Sequence, residues 1–409
     1  SMNRKDFYNL ADVYCDAVFH PRLLREHFQQ EGHHLELDGD GAGELSIKGV
    51  VYNEMKGYYA ELSEVVTRNV RRVLYAGSCY AFDAGGDPAA IPGLTYEQFA
   101  AFHAAHYHVG NASFLFFGSI PPGDHLAFVA ARCADGNVAR GAAVLPMPPR
   151  ACRGQRGTIA YPIAAHESPE KRTAIVAAFL THAVDDTVTT LALQVLDYYL
   201  LGNEAAPLRK ALIESRLGSA LIHTGLMSHQ RLAYFSAGLR GSEAARSDAV
   251  WELIRGTLAG LVRDGLNKEN VAVALYQREL ALRTEVAAAP TWMVMQPAMA
   301  WLYGLPLNHF LHMDEDLAAL HERLAREPRY LERVLDELVV QNQHHCLLTF
   351  VPDGTYFARE EAAMRARMAE RAAAMSAAER AAVAAEARHL HELQRAPDDP
   401  AARATLPRL

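Results

Sequence analysis

Residues 48–57 read KGVVYNEMKG and join two patterns of different period. The residues just before them, 44–47, read ELSI and alternate polar with apolar side chains, which predicts a short strand that ends in a turn at Gly49. Apolar side chains then recur at helical spacing, at Val50, Val51, Met55 and Tyr58. The pattern therefore predicts a strand, a turn and a helix that continues to about Tyr75.

Glu54 follows the two valines by three and four residues, so helical spacing places its carboxylate on the apolar face of this helix. A carboxylate on a buried face needs a partner, because an unpaired buried charge is very costly. The spacing leaves two interpretations of Glu54 open. One is a salt bridge or helix-cap bond, and the other is a metal ligand.

The KGVVYNEMKG stretch resembles the presequence-protease branch of the insulinase/pitrilysin-type zinc metallopeptidases. Further runs match that family in its order, namely FQQEG at 28–32, DAGGDP at 83–88, IPGLT at 91–95, FH at 102–103, YH at 107–108, NA at 111–112 and PLRKALIES at 207–215. The resemblance extends over nearly the whole chain. It implies repeated α/β domains, and it implies that Glu54 is the third protein ligand of a catalytic zinc.

The chain also departs from this family. The other zinc ligands of the family are two histidines in an HxxEH motif, whose glutamate is the general base. HxxEH does not occur in this sequence, so the chain is predicted to hold no catalytic residue. Family members also carry a second half of similar size. The resemblance thus implies an internal piece of a larger protease, which supplies Glu54 but is inactive and binds no zinc stably by itself.

The predicted fold class is α+β, with two related α/β domains and a C-terminal helical hairpin. In each domain a mixed or antiparallel sheet packs against helices, and the first domain is incomplete. The predicted segments are 1–135 for the C-terminal portion of the catalytic peptidase domain, 136–157 for a linker rich in Gly, Pro and Arg, 158–354 for a second, non-catalytic peptidase-family domain, 355–397 for the hairpin and 398–409 for a tail.

Three local patterns carry further predictions. Residues 113–117 read SFLFF, which predicts a strand. Residues 292–302 are apolar on all sides, which predicts a buried helix. Ser376 and Glu379 form a capping-box pattern, which predicts that the hairpin's second helix begins there after a break at Met375.

Other residues offer weaker chemistry. His103, His106 and His108 cluster near the end of a predicted helix, where packing and backbone bonding compete with metal ligation. Asp83 and Asp87 flank two glycines, but the spacing of a calcium-binding EF-hand is absent. The glycine-rich run at 39–43 is not GxGxxG and indicates a hairpin loop rather than a phosphate-binding loop.

Composition excludes several classes of function. The net charge is −8 without a basic cluster, which disfavours nucleic-acid binding, and no apolar run approaches the ~20 residues of a membrane span. The five cysteines are scattered without CxxC, which disfavours a disulfide framework. Reduced thiols indicate the cytoplasm or another reducing compartment, with an organelle matrix possible if a targeting segment precedes Ser1.

Two functions remain open from the sequence. The first is a section of a zinc endopeptidase that degrades short unstructured peptides, with the missing remainder of the same protease as its partner. In that enzyme zinc polarises the scissile carbonyl and activates water. The second is a non-catalytic peptide-binding or structural subunit of an insulinase-type complex.

Overall fold

A computed structural model of the chain describes residues 3–38, 43–133, 144–288, 290–397 and 399–405. Most of the glycine-rich run at 39–43 and the first part of the predicted linker at 136–157 lie outside these residues. The chain forms two compact units. Unit 1 comprises residues 1–58, 85–143 and 359–409, and unit 2 comprises residues 59–84 and 144–358.

The described helices and strands follow in chain order. The helices are α1 (Arg4–Phe19), α2 (Arg25–Glu31), α3 (Val50–Tyr58), α4 (Leu62–Leu74), α5 (Tyr96–His106), α6 (Pro122–Cys133), α7 (Thr187–Leu201), α8 (Pro207–Glu214), α9 (Ser247–Asp264), α10 (Lys268–Ala288), α11 (Pro290–Leu302), α12 (Met313–Arg326), α13 (Tyr330–Leu335), α14 (Tyr356–Ala374), α15 (Ala377–Arg395) and α16 (Pro400–Ala404). The strands are β1 (His34–Leu37), β2 (Leu45–Lys48), β3 (Gln155–Pro162), β4 (Thr173–Ala183), β5 (Ala220–Leu221), β6 (Gly225–Met227), β7 (Leu232–Ser242) and β8 (His345–Asp353). The predicted α+β class is confirmed.

Unit 2 is built on a mixed sheet with the strand order β3-β8-β4-β7-β5, and β6 pairs with β7. Strand β3 runs parallel to β8, and the other pairs are antiparallel. Alternate residues of β4 enter two different cores. Ile175 and Phe179 pack among the helices that include α7 and α9, whereas Val176 and Leu180 pack on the opposite face with α4. The sheet is thus covered on both faces, which explains why β4 reads as a continuous apolar run.

The prediction of one helix from Val50 to Tyr75 is wrong, because α3 ends at Tyr58 and α4 begins at Leu62. Gly57 lies at the end of α3, and glycine is about 1 kcal/mol less favourable than alanine inside a helix. The valines and leucines of α4 pack on the sheet of unit 2. This packing places residues 59–84 in unit 2, although the predicted boundaries placed them in the first domain.

The predicted strand at 113–117 is also wrong, since residues 112–117 join no sheet within the described part of the chain. Its aromatic side chains pack on helices instead. Phe116 stacks on His125 of α6 with ring centroids 4.1 Å apart, and Phe114 lies 6.2 Å from Phe19 of α1. Aromatic packing thus accounts for the apolar pattern without strand pairing.

The predicted burial of residues 292–302 holds for one side only. Ala300 of α11 is fully buried, but Met295 is 53% exposed. Helix α11 covers its neighbours with a single face, so an all-round apolar pattern overstates its burial.

The predicted hairpin is confirmed as α14 and α15. Ser376 Oγ accepts a hydrogen bond from the Glu379 N–H at 3.2 Å, and Glu379 Oε2 accepts from the Ser376 N–H at 2.7 Å. Helix α15 packs against β1 of unit 1, where His391 Nε2 lies 3.0 Å from Glu36 Oε1. The capping box therefore begins α15 where the sequence predicts it.

Candidate functional site

Glu54 lies on α3 and is exposed. The buried side of α3 carries Tyr52, which is 2% exposed, whereas Val50 and Tyr58 are 51% and 40% exposed. These two residues lie four positions before and after Glu54, so they share its side of the helix. The prediction that Glu54 lies on the buried face is therefore wrong. Its carboxylate lies on an accessible, partly apolar surface.

The Glu54 carboxylate has no ion pair or hydrogen bond within the described ranges. No group of three His, Cys, Asp or Glu side chains in those ranges is placed to hold a metal ion. A catalytic zinc usually has three protein ligands. The described residues do not by themselves fit a zinc ion, and Glu54 supplies one ligand at most.

The histidine cluster is not arranged around a metal. His103 Nε2 donates to the carbonyl oxygen of Val18 at 2.9 Å, and its ring stacks on Tyr107 at 4.8 Å. The His106 ring lies 4.4 Å from the ring of Phe102. These contacts support the packing interpretation for His103 and His106.

The acidic loop is closed by its own backbone. Asp87 Oδ1 accepts a hydrogen bond from the Ala89 N–H at 2.9 Å, which is a local turn interaction. Neither Asp83 nor Asp87 belongs to a metal-binding group in the part of the chain that the structure describes.

A cavity of about 730 Å³ lies within unit 2, between α7, α10, α11, α12 and β6. Its walls combine apolar side chains such as Leu191 and Met299 with three glutamines, Gln194, Gln277 and Gln296. The sequence analysis missed this site. A signal was present, because the polar residues of α7 recur at helical spacing on an otherwise apolar helix, at Thr187, Thr190, Gln194 and Asp197.

Asp197 is the main acidic group of the cavity wall formed by α7. Burial raises its pKa to about 6, although a hydrogen bond from the Leu226 N–H and the charge of Arg278 act in the opposite direction. Gly225 has a φ of +109°, and a Cβ there would lie 3.1 Å from Asp197 Oδ1. Gln194 Oε1 is buried and has no hydrogen-bond partner among the described residues. The cavity thus offers unsatisfied or weakly satisfied acceptors to a ligand that donates hydrogen bonds.

Asp197→Asn is expected to stabilise unit 2 at neutral pH. The folded-state pKa of about 6 exceeds the reference value of 3.8, so wild-type stability falls as pH rises through this window. The removal of this titration is expected to raise the free energy of unfolding by about 1–3 kcal/mol at pH ~7 and by almost nothing at pH ~4. Urea unfolding at the two pH values measures the difference.

Two buried histidines of unit 2 titrate in the opposite sense. Burial lowers the pKa of His182 and of His223 to about 4, so their contribution to stability is lost as pH falls. Both are present in wild type and variant, so the comparison cancels them. Asp314→Asn, at an exposed site, is the control and is expected to change stability by less than about 0.5 kcal/mol. Equal effects of Asp197→Asn at both pH values would contradict the assignment.

Comparisons with known proteins place the chain in a family. The family described as "Peptidase M16 inactive domain" matches residues 93–277, and a family of domains associated with subfamily C of the M16 peptidases matches residues 350–409. Presequence protease 1, chloroplastic/mitochondrial, of Arabidopsis thaliana is 33% identical over 425 residues, which cover 100% of this chain and 39% of that protein. The mitochondrial presequence protease of Xenopus laevis is 30% identical over 98% of this chain and 39% of that protein.

Solved structures agree on the fold. The first half of the periplasmic protease PqqL from Escherichia coli superposes with a TM-score of 0.56 at 13% identity, covering 94% of this chain and 75% of that one. The chain belongs to the M16 peptidase family and is of the presequence-protease type. It spans 39% of the length of the two presequence proteases named above. Within the described residues, no helix is long and apolar enough to cross a membrane.

Proposed function

We propose that this chain is a section of a zinc-dependent endopeptidase that degrades short unstructured peptides, of the presequence or targeting type, in a clamshell chamber. In this proposal Glu54 is the third zinc ligand, and the chain forms part of the chamber wall. The observation that carries it is the KGVVYNEMKG stretch on α3, where the Glu54 carboxylate is exposed between Val50 and Tyr58. An exposed carboxylate without a partner in the described part of the chain is free to meet ligands from elsewhere in a longer protein.

The proposal assigns the remaining segments by the same family resemblance. Residues 158–354 form a non-catalytic peptidase domain, and the hairpin at 355–397 links it to a further half of the protease. The protein acts in a reducing compartment, either the cytoplasm or an organelle matrix. The two relatives named above are described as mitochondrial or as chloroplastic/mitochondrial, which supports the second choice.

The cavity of unit 2 favours a second candidate function, a non-catalytic peptide-binding subunit of an insulinase-type complex. Amide side chains both donate and accept hydrogen bonds, as peptide groups do. Gln194, Gln277 and Gln296 therefore match an extended peptide, while Leu191 and Met299 offer apolar surface for its side chains. This function needs no metal.

The isolated 409-residue chain is expected to show no peptidase activity, because the described residues hold no complete metal site. A quenched fluorescent peptide, incubated with the purified chain and added zinc, measures this directly. Chelator-sensitive cleavage by the chain alone would overturn the proposal.

The gene sequence ahead of Ser1 separates the two candidates. An HxxEH motif upstream supports the endopeptidase, and a longer protein that includes it is expected to cleave the same peptide until a chelator is added. A native start at Met2 supports the peptide-binding subunit instead.

A further inference from the structure

Two buried thiols of unit 2 lie against each other. Cys152 and Cys346 have no exposed surface and belong to the same apolar cluster. Their side chains hydrogen-bond to each other, and Cys152 Sγ also donates to the carbonyl oxygen of His345 at 3.0 Å. Neither residue belongs to the Glu54 surface or lines the cavity of unit 2. The proposed function therefore leaves the pair unexplained.

The two cysteines lie on segments of different rigidity. Cys346 lies in β8, which is hydrogen-bonded to β3 on one side and to β4 on the other. Cys152 belongs to residues 144–154, which precede β3 and join no strand ladder. A hydrogen bond of 2.9 Å from His344 Nδ1 to the Cys152 carbonyl oxygen holds this segment beside β8. The β8 thiol is thus fixed, whereas the Cys152 thiol can be uncovered without breaking the sheet.

We propose that Cys152 and Cys346 form a reversible disulfide, which makes unit 2 sensitive to the redox state of its surroundings. The oxidant is a low-molecular-weight disulfide, such as glutathione disulfide. The bond would join the segment ahead of β3 to an interior strand of the sheet.

The reaction proceeds by two exchange steps. The Cys152 thiolate attacks one sulfur of the oxidant, whose S–S bond breaks and releases one thiolate. The Cys346 thiolate then attacks Cys152 Sγ, forms the protein disulfide and releases the second thiolate. The two protein thiols lose two electrons and two protons, and the oxidant becomes two thiols.

Cys152 is the attacking thiol. The hydrogen bond from Cys346 lowers the pKa of Cys152, whereas the bond to Cys152 and burial raise the pKa of Cys346. The thiolate is the nucleophile in such exchange, so the thiol with the lower pKa reacts first at neutral pH. Its place on the irregular segment also gives the oxidant access after a local opening.

The disulfide would close a long loop, from Cys152 to Cys346. A cross-link of this kind restricts the unfolded chain and therefore raises the unfolding temperature, provided that it forms without distortion. The contact between the thiols in the folded chain favours a bond with little distortion.

The test oxidises the purified full chain with glutathione disulfide, blocks free thiols with an alkylating agent and maps the peptides by mass spectrometry. The expected product is a cross-linked peptide pair containing Cys152 and Cys346. The oxidised chain is expected to melt at a higher temperature than the reduced chain, and dithiothreitol is expected to reverse the shift. Cys346→Ser is expected to lose both effects, whereas Cys79→Ser, at an exposed thiol, keeps both.

Two results would overturn the inference. One is glutathione bound at Cys79 or Cys15 while Cys152 and Cys346 are recovered as free, alkylated thiols. The other is a melting shift that persists in Cys346→Ser. If that variant does not fold, the peptide map of the wild-type chain decides the question by itself.

Discussion

Glu54→Gln, introduced into the longer protease, is expected to lower kcat/KM for an unstructured peptide by about 100-fold or more. Groups that only support a metal ligand already contribute about 10–100-fold to metal affinity or activity, and a ligand is expected to matter at least as much. Glutamine keeps the size of the side chain and one oxygen, but it removes the negative charge that partly neutralises zinc. Because Glu54 is exposed in the described structure, the variant is expected to fold normally.

The matched control is Glu61→Gln, which removes the charge of another exposed glutamate seven residues further along the chain. It is expected to keep full turnover and an unchanged melting temperature. If Glu54 were instead a structural ion-pair partner in the longer protein, its replacement would cost about 3–5 kcal/mol of stability. A loss of stability with bound metal retained would therefore argue against the ligand assignment.

Phe350→Ala is expected to reduce the free energy of unfolding of unit 2 by about 3–5 kcal/mol. Phe350 is fully buried in β8, opposite Ile159 of β3 and Ala174 of β4. The smaller side chain leaves a cavity between these strands and α4, which lines the same core. A fixed sheet collapses into such a cavity only in part, so most of the lost packing energy is not recovered.

Tryptophan fluorescence during urea unfolding measures this effect. All three tryptophans of the chain, Trp251, Trp292 and Trp301, belong to unit 2. Phe82→Ala is the control, because Phe82 also belongs to unit 2 but is 75% exposed. A change of less than about 1 kcal/mol for Phe350→Ala would show that β8 is not part of a closely packed core.

The sequence predicted unit 2 well because strong local signals agree there with the tertiary structure. Strand β4 is flanked by clear turns, and the capping box at Ser376 fixes the start of α15 by local hydrogen bonds. Such signals need no knowledge of distant contacts. The same holds for the β1–β2 hairpin, where alternation continues on both sides of a glycine-rich loop.

The failures have the opposite cause. Helical periodicity runs through residues 59–61, so the pattern alone does not show that α3 and α4 belong to different units. Residues 113–117 carry the composition of a strand, but their side chains pack on α1 and α6 without a strand partner in the described part of the chain. Burial of α3 depends on its neighbours, which is why spacing placed Glu54 on the wrong face.

The candidate site was predictable only in part. Resemblance singled out Glu54, whereas Asp197 and Gln194 of the cavity were missed because two polar residues on an apolar helix are usually satisfied in a core. The cavity forms where α7, α10 and α11 meet, far apart in sequence, so only tertiary structure shows it.

Zinc content of the longer protease, measured by metal analysis after dialysis for wild type and Glu54→Gln, tests the central claim most directly. The account predicts one zinc per wild-type chain, well under one per Glu54→Gln chain, and nearly equal melting temperatures for the folded proteins without metal. A Glu54→Gln protein that keeps its full zinc and turns over peptide at the wild-type rate would contradict it.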